Sequence, residues 1–352
     1  MSGGVDSSMA AALLQKQGYE VIGLTMQLWP KDLLECESET SCCGIGAVED
    51  AKRVAARLGI PHYVINSREI FAEKVIRDFI KKYLSGITPN PCIRCNDLVK
   101  FEFLRKKALG LRARYLATGH YANIKYDEKK KRYQLLRAKD AKKDQTYFLY
   151  TLNQTQLAHT LFPLGNLTKT EVRGLARKMN LATANRPESQ EICFIPDNNY
   201  HRFLWEQARN KIKAGAIVDQ NGKVLGQHQG VPFYTIGQRK GLGIAAAQPL
   251  YVLFLNARKN QVVAGQEQEV YRKKLIAAKL NIITGGKITK SFPAKAKIRS
   301  AHQMAACRVY PLGQGKARVE FAKRQWAITP GQAVVFYDKD KILGGGTIIK
   351  AD

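Results

Sequence analysis

The chain opens with Met1-Ser2-Gly3-Gly4-Val5-Asp6-Ser7-Ser8, and the reading of this octet decides the fold. Two glycines let the backbone come close to a bound anion and take up φ > 0. Ser2, Ser7 and Ser8 add hydroxyl donors, and the apolar run from Met9 to Leu14 predicts a helix starting there. A loop that empties into a helix N-terminus gathers unpaired N–H groups and the positive end of the helix dipole, which suits phosphate. No lysine follows the glycines, so this is not the G-x-x-x-x-G-K-[ST] loop that holds β- and γ-phosphates.

Ser-Gly-Gly-Val-Asp-Ser-Ser instead resembles the pyrophosphate loop of ATP pyrophosphatases, which attack the α-phosphate and leave AMP on the substrate. That pattern places an apolar strand immediately upstream of the loop, and nothing precedes Met1. Translation is therefore expected to begin further upstream; the alternative is a sheet without its central strand.

At 352 residues the chain predicts two or three domains. No run of 18 apolar residues is present, and the start lacks a basic segment followed by an apolar stretch, so a cytoplasmic protein is expected. The 57 Lys and Arg against 29 Asp and Glu give a formal charge of +28. Such an excess self-repels unless a polyanion offsets it, which points to nucleic acid. A membrane surface fits less well, because no basic amphipathic helix faces bulky aromatics. Seven cysteines, an odd number without a secretion signal, argue against a disulfide scaffold. Cys36, Cys42, Cys43, Cys92, Cys95, Cys193 and Cys307 are thus weighed as catalytic, metal-binding or buried thiols.

Helix and strand alternate through the first half: strands at 20–26, 62–66 and 114–118, helices at 48–58 and 70–84. Alternation of this kind means a parallel sheet with ligands at the strand ends, where Gly119 and His120 fall. In Thr88-Pro89-Asn90-Pro91-Cys92-Ile93-Arg94-Cys95-Asn96, Asn96 is expected to cap a helix and leave Cys95 beside its N-terminus, with a lowered thiol pKa. Residues 121–137 read as a hairpin with a charged tip at Lys129–Arg132, a further helix is expected after Thr146-Tyr147, and Thr168-Lys169-Thr170-Glu171 fits a capping box. Residues 188–195 read as a short strand carrying Cys193. Beyond about 207 the texture changes, with a turn at Asn221-Gly222 and two strands around Asn260. From about 276 regular short strands predict a small β-barrel, with Cys307 in its core.

A loop for α-phosphate attack, thiols and a basic surface point to one reaction type. ATP activates a carbonyl oxygen on a nucleic acid, and sulfur displaces AMP. A cysteine persulfide is a good sulfur carrier, and a second thiol that closes a disulfide settles the reducing equivalents. Two cysteines distant in sequence and close in space are the expected signature.

SGGVDSS, GLTMQLW, TPNPCIRCN, ATGHYA, KDQTYFL, ESQEICFI, GQRKGLG and ITPGQ occur in this order. By this ordered set the chain resembles the bacterial tRNA-specific 2-thiouridylase family over its whole length. The resemblance implies an α/β, parallel-sheet ATP pyrophosphatase (PP-loop, HUP-like) domain over 1–206, a small central domain over 207–274 and a C-terminal β-barrel gripping tRNA over 275–352. It implies 2-thiolation of the wobble uridine of glutamate, lysine and glutamine tRNAs, with ATP, an expected Mg2+, and a cysteine desulfurase or sulfur-relay protein as persulfide donor. Met1, Ser2, Gly3, Gly4, Val5, Asp6, Ser7 and Ser8 would hold the phosphates, with Met26 and Gly119 against the nucleotide. Cys193 would carry the persulfide and Cys95 would be its catalytic partner. Asn90, Pro91 and Cys92 would face the target base, and His120, Lys143, Asp144, Gln145, Arg299, Ser300 and Gln332 would contact tRNA. Two positions depart from the pattern: Cys92 is aspartate in some relatives, and Ser300 replaces an aromatic residue.

Three rivals remain open on the sequence. Cys92, Cys95 and Cys193 could hold an iron–sulfur cluster. The chain could bind tRNA without catalysis, or it could be a ligase making a C–N bond, for which paired cysteines have no use.

Overall fold

The computed structural model describes residues 1–28, 45–187, 192–286 and 288–352. Gly4 is extended (φ −93°, ψ 160°) and turns the chain into helix α1, Val5–Lys16, whose Met9, Ala12 and Leu14 are buried. Strand β1 (Gly23–Gln27) runs parallel to β2 (His62–Asn66), with Thr25 level with Val64, and α2 (Ile45–Leu58) connects them. Two long helices follow, α3 over residues 68–84 and α4 over 91–110; each contains a π-helical stretch, Ala72–Ile76 and Cys95–Leu104.

Strand β3 (Leu116–Ala117) pairs in parallel with β6 (Thr160–Leu161). The strands are thus parallel as expected, but they form two separate pairs and not one sheet. Among the described residues β1 pairs only with β2, and β3 only with β6. Residues of β1 and β3 both line a cavity of about 720 Å3 that lies between the pairs, with Met1 at its wall.

One sequence expectation needs correction here. Residues 192–195 form a turn, closed by the Ile195 N–H to the Ile192 carbonyl at 2.8 Å, and not a strand; Glu188–Glu191 lie outside the described residues. Thr146–Phe148 is a single 3-10 turn, and the helix expected after Thr146-Tyr147 follows it as the short Gln154–Ala158. The hairpin is present as β4 (Asn123–Asp127) and β5 (Arg132–Leu136), and the Thr168–Glu171 capping box opens the helix Lys169–Lys178.

Helix Tyr200–Ala208 leads into a four-stranded sheet ordered β8-β7-β10-β9, made of Val224–His228, Gly215–Val218, Gln261–Gly265 and Tyr251–Asn256. Its two turns carry Gly222 (φ +88°) and Asn260 (φ +49°), as the sequence predicts. The last six strands are β11 (Tyr271–Ile282), β12 (Phe292–Lys297), β13 (Ala305–Gly313), β14 (Lys316–Trp326), β15 (Ala333–Asp338) and β16 (Lys341–Ala351). They run in the order β11-β14-β13-β12-β15-β16, and β16 pairs back onto β11, which closes a barrel. Val309, Val319, Phe321, Val334 and Phe336 fill it, and Cys307 is buried among them. Removing each such large side chain from water stabilises the fold by about 1.5–3 kcal/mol. The β4–β5 hairpin of the first domain extends this sheet, with Leu135 opposite Ile342.

Candidate nucleotide and thiol site

The octet builds a tight cup at the start of α1. Gly3 takes φ +70°, and a Cβ there would lie 2.3 Å from the Ala47 carbonyl, so only glycine fits against α2. The Gly4 carbonyl accepts the Ser8 N–H at 3.2 Å, the Ser7 hydroxyl at 3.1 Å and the Ser8 hydroxyl at 2.9 Å. Ser7 Oγ also accepts the Ser2 N–H at 3.0 Å. Among the described residues no side chain caps α1, so its first N–H groups are left for a ligand.

Around this cup the cavity gathers most of the residues expected to hold the nucleotide: Met1, Ser2, Asp6, Ser7, Met26 and Gly119, joined by His120 and Gln145. Its volume is that of an ordinary small-ligand site. Gly119 acts by close approach: a Cβ there would lie 2.6 Å from the Asp6 carbonyl carbon.

Met26 also packs against the apolar cluster of Phe71, Phe79 and Phe194. Cys95 is buried in that cluster, and half-buried Cys193 packs on it, so residues 98 positions apart share one apolar wall. The local expectation for Cys95 is corrected. Asn90 caps α4, its Oδ1 accepting the Ile93 N–H at 3.1 Å with Pro91 as the first helical residue. Cys95 therefore sits in the second turn, where burial pushes its thiol pKa up and not down. Asn96 lies inside the helix and donates to the Phe148 carbonyl at 3.2 Å. Cys92 is exposed. Among the described residues no three Cys, His, Asp or Glu side chains converge as metal ligands, so Cys92, Cys95 and Cys193 do not assemble a cluster site. Cys36, Cys42 and Cys43 lie outside the described residues.

The residues expected to contact tRNA are mostly engaged inside the chain. His120 packs between Phe101 and Phe162, its Nδ1 at 2.8 Å from the Thr118 hydroxyl, and burial holds its pKa well below the usual value, so the ring is neutral. The Asp144 carboxylate accepts the Thr146 hydroxyl and the Ala138 N–H and pairs with Arg137 at 3.5 Å. Lys143 before it is half-buried, and Gln145 after it bonds the backbone of Tyr121 in both directions. Arg299 Nη2 donates to the Ala327 carbonyl at 2.6 Å and to Thr329 Oγ1 at 2.8 Å. Gln332 donates to the carbonyls of Thr88 and Pro89, both at 3.1 Å. Ser300 is exposed.

Three residues that the sequence did not single out complete the cup. Both Asp6 carboxylate oxygens accept from Lys169 Nζ at 2.8 Å, and Oδ1 also accepts the Tyr121 hydroxyl at 2.8 Å. Arg186 donates to the Gly3 carbonyl at 3.2 Å and pairs with Asp50. The one signal for Lys169 was its place as the first residue after a capping Thr168; nothing local shows that this helix start meets the start of α1.

The chain matches three sequence families in succession. Residues 1–197 match the tRNA methyl transferase HUP domain, 201–266 the tRNA methyl transferase PRC-barrel domain, and 272–348 the aminomethyltransferase beta-barrel domain. The chain is 55% identical to the tRNA-specific 2-thiouridylase MnmA of Carboxydothermus hydrogenoformans over 99% of its own length and 96% of that protein. It is 52% identical to the tRNA-specific 2-thiouridylase MnmA of Acetivibrio thermocellus over 99% and 97%. The chain belongs to the tRNA-specific 2-thiouridylase family. The family's HUP domain carries the cup and both thiols, and the matched barrel family coincides with the closed sheet β11–β16. NMN synthetase from Francisella tularensis overlaps 60% of the chain and 83% of its own at a TM-score of 0.33 and 16% identity, too slight a likeness to bear on either. Among the described residues of this 2-thiouridylase family member, no helix is long and apolar enough to cross a membrane.

Proposed function

We propose that the chain uses ATP to replace the C2 oxygen of the wobble uridine of glutamate, lysine and glutamine tRNAs with sulfur. The observation that carries this reading is the position of Met26, which lines the nucleotide cavity and packs on the cluster holding Cys95 and Cys193. A cup for phosphate and two thiols are thus adjacent. The family descriptions speak of methyl transfer and the relatives' names of thiolation; methyl transfer has no use for the paired thiols, which favours sulfur.

In this reading the cup of Ser2, Gly3, Gly4, Ser7 and the first N–H groups of α1 holds the phosphates of ATP. The uridine O2 attacks the α-phosphorus, and pyrophosphate leaves. The outer sulfur of a persulfide on Cys193, delivered by a desulfurase or relay protein, attacks C2, and the C2–O bond breaks to release AMP. The Cys95 thiol then attacks Cys193 Sγ, which frees 2-thiouridine and leaves a Cys95–Cys193 disulfide. A cellular dithiol restores both thiols with two electrons. Burial raises the Cys95 pKa, so the resting group is the thiol and not the thiolate.

Among the described residues no group of side chains offers Mg2+ a ligand set of its own. Asp6, the loop's carboxylate, is occupied by Lys169 and Tyr121. Facing a +28 chain, tRNA supplies the polyanion that the charge calls for.

The test is nucleoside mass spectrometry of tRNA incubated with the chain, ATP, cysteine and a desulfurase. 2-Thiouridine is expected only with ATP present and with Cys95 and Cys193 both intact. Parental product from either alanine variant, or methylated uridine in its place, would overturn the reading.

A further inference from the structure

We propose that Lys169 is a positioning residue of the phosphate cup, neutralising and holding the Asp6 carboxylate so that the cup admits a polyphosphate it would otherwise repel. The proposal rests on the ATP reading above and deepens it.

The cup has a charge problem. Asp6 stands in the first turn of α1, beside the N–H groups that would meet phosphate, and the loop contains no basic residue of its own. A carboxylate there opposes a triphosphate by like-charge repulsion, and more strongly once solvent is displaced. Lys169 answers this from another helix. Its Nζ lies 2.8 Å from both Asp6 oxygens, with 11% of its side chain exposed.

The lysine is held in turn by a rigid frame. It is the first residue of its helix, where Thr168 and Glu171 bond reciprocally, and its own N–H donates to Asp140 at 3.0 Å. The Tyr121 hydroxyl supplies the third bond to Asp6, and Tyr121 is fixed by the Gln145 amide. With both oxygens engaged, the carboxylate is turned to Lys169 and Tyr121, and the α1 N–H groups remain available to phosphate.

Two roles for the lysine make opposite predictions. If Lys169 acts through Asp6, removing it matters only while the carboxylate is charged. If it meets phosphate itself, removing it matters in either background. A double-mutant cycle separates these.

The experiment is ATP titration by calorimetry on the full chain and on Lys169→Met, Asp6→Asn and the double variant, with thermal unfolding of each. Lys169→Met alone is expected to weaken ATP binding roughly tenfold or more, since it leaves a half-buried carboxylate uncompensated. In the Asp6→Asn background the same change is expected to cost less than about threefold, the scatter of independent sites. This second comparison stands even where the single Lys169→Met variant does not fold. An equal loss in both backgrounds overturns the proposal and makes Lys169 a phosphate ligand. Parental binding by Lys169→Met overturns it alone, and an original chain that binds no ATP overturns the ATP reading together with it.

Discussion

The side-chain amide of Gln332, immediately before β15 in the barrel, donates to the carbonyl of Pro89 at 3.1 Å, one residue before Asn90 caps the helix that carries Cys95. The same amide reaches the Thr88 carbonyl, and the Thr88 N–H donates to Pro330 at 3.1 Å. The barrel therefore holds the entry to the thiol helix. Two hydrogen bonds of about 1 kcal/mol each are lost in Gln332→Ala. Amide exchange over residues 88–95 is expected to accelerate while the cup at residues 1–8 keeps its protection. Unchanged exchange at 88–95 would show that the contact holds nothing.

Asn90 is expected to act first as a cap. Asn90→Ala should lower stability by about 1 kcal/mol, whereas Asn90→Asp, whose carboxylate also accepts the Ile93 N–H, should keep it. Urea unfolding of the two variants distinguishes this from a role in recognition alone, for which both would unfold like the parent.

Gly119→Ala places a methyl group 2.6 Å from the Asp6 carbonyl carbon, a contact that requires the cup to shift. Overpacking of this kind costs about 1–3 kcal/mol. Chemical unfolding should register that loss, and ATP titration should show weaker binding; a variant that matches the parent in both would remove Gly119 from the cup.

The buried thiols give a pH signature. Burial raises the Cys95 pKa, so its alkylation should lag that of exposed Cys92 near neutrality and climb at alkaline pH. Burial pushes Cys307 up to about 12, above the ordinary thiol value of about 8.5. The folded state thus holds its proton more tightly than the unfolded chain. Stability from this group is complete below about 8.5 and is lost as pH rises toward 12. Cys307→Ala should flatten that alkaline decline in thermal midpoint; an equally steep decline would place its cause elsewhere.

Much of the site was legible because its signals are local. Glycines, serines and a following apolar run announce a cup and a helix within a dozen residues, and the Thr168–Glu171 box was readable from spacing alone. The failures share a cause in tertiary packing. The sequence reading put the cap of the thiol helix at Asn96, but Asn90 caps it and Asn96 is drawn inward to the Phe148 carbonyl. Dipole reasoning then assigned Cys95 a lowered pKa, where burial among Phe71, Phe79 and Phe194 prevails. Lys169 stayed hidden because its partner lies 163 residues away.

The hairpin that the first domain lends to the barrel has a consequence for dissection. Leu135 and Leu136 pair with Ile342 and Lys341, the Tyr147 hydroxyl donates to the Ala333 carbonyl at 3.0 Å, and Asn281 donates to Tyr150 at 2.6 Å. Cut away on its own, the C-terminal barrel would bare the start of β16 as a naked strand edge, an invitation to self-association. The barrel is thus no detachable handle; grafted onto another enzyme, it would need its borrowed hairpin to travel with it.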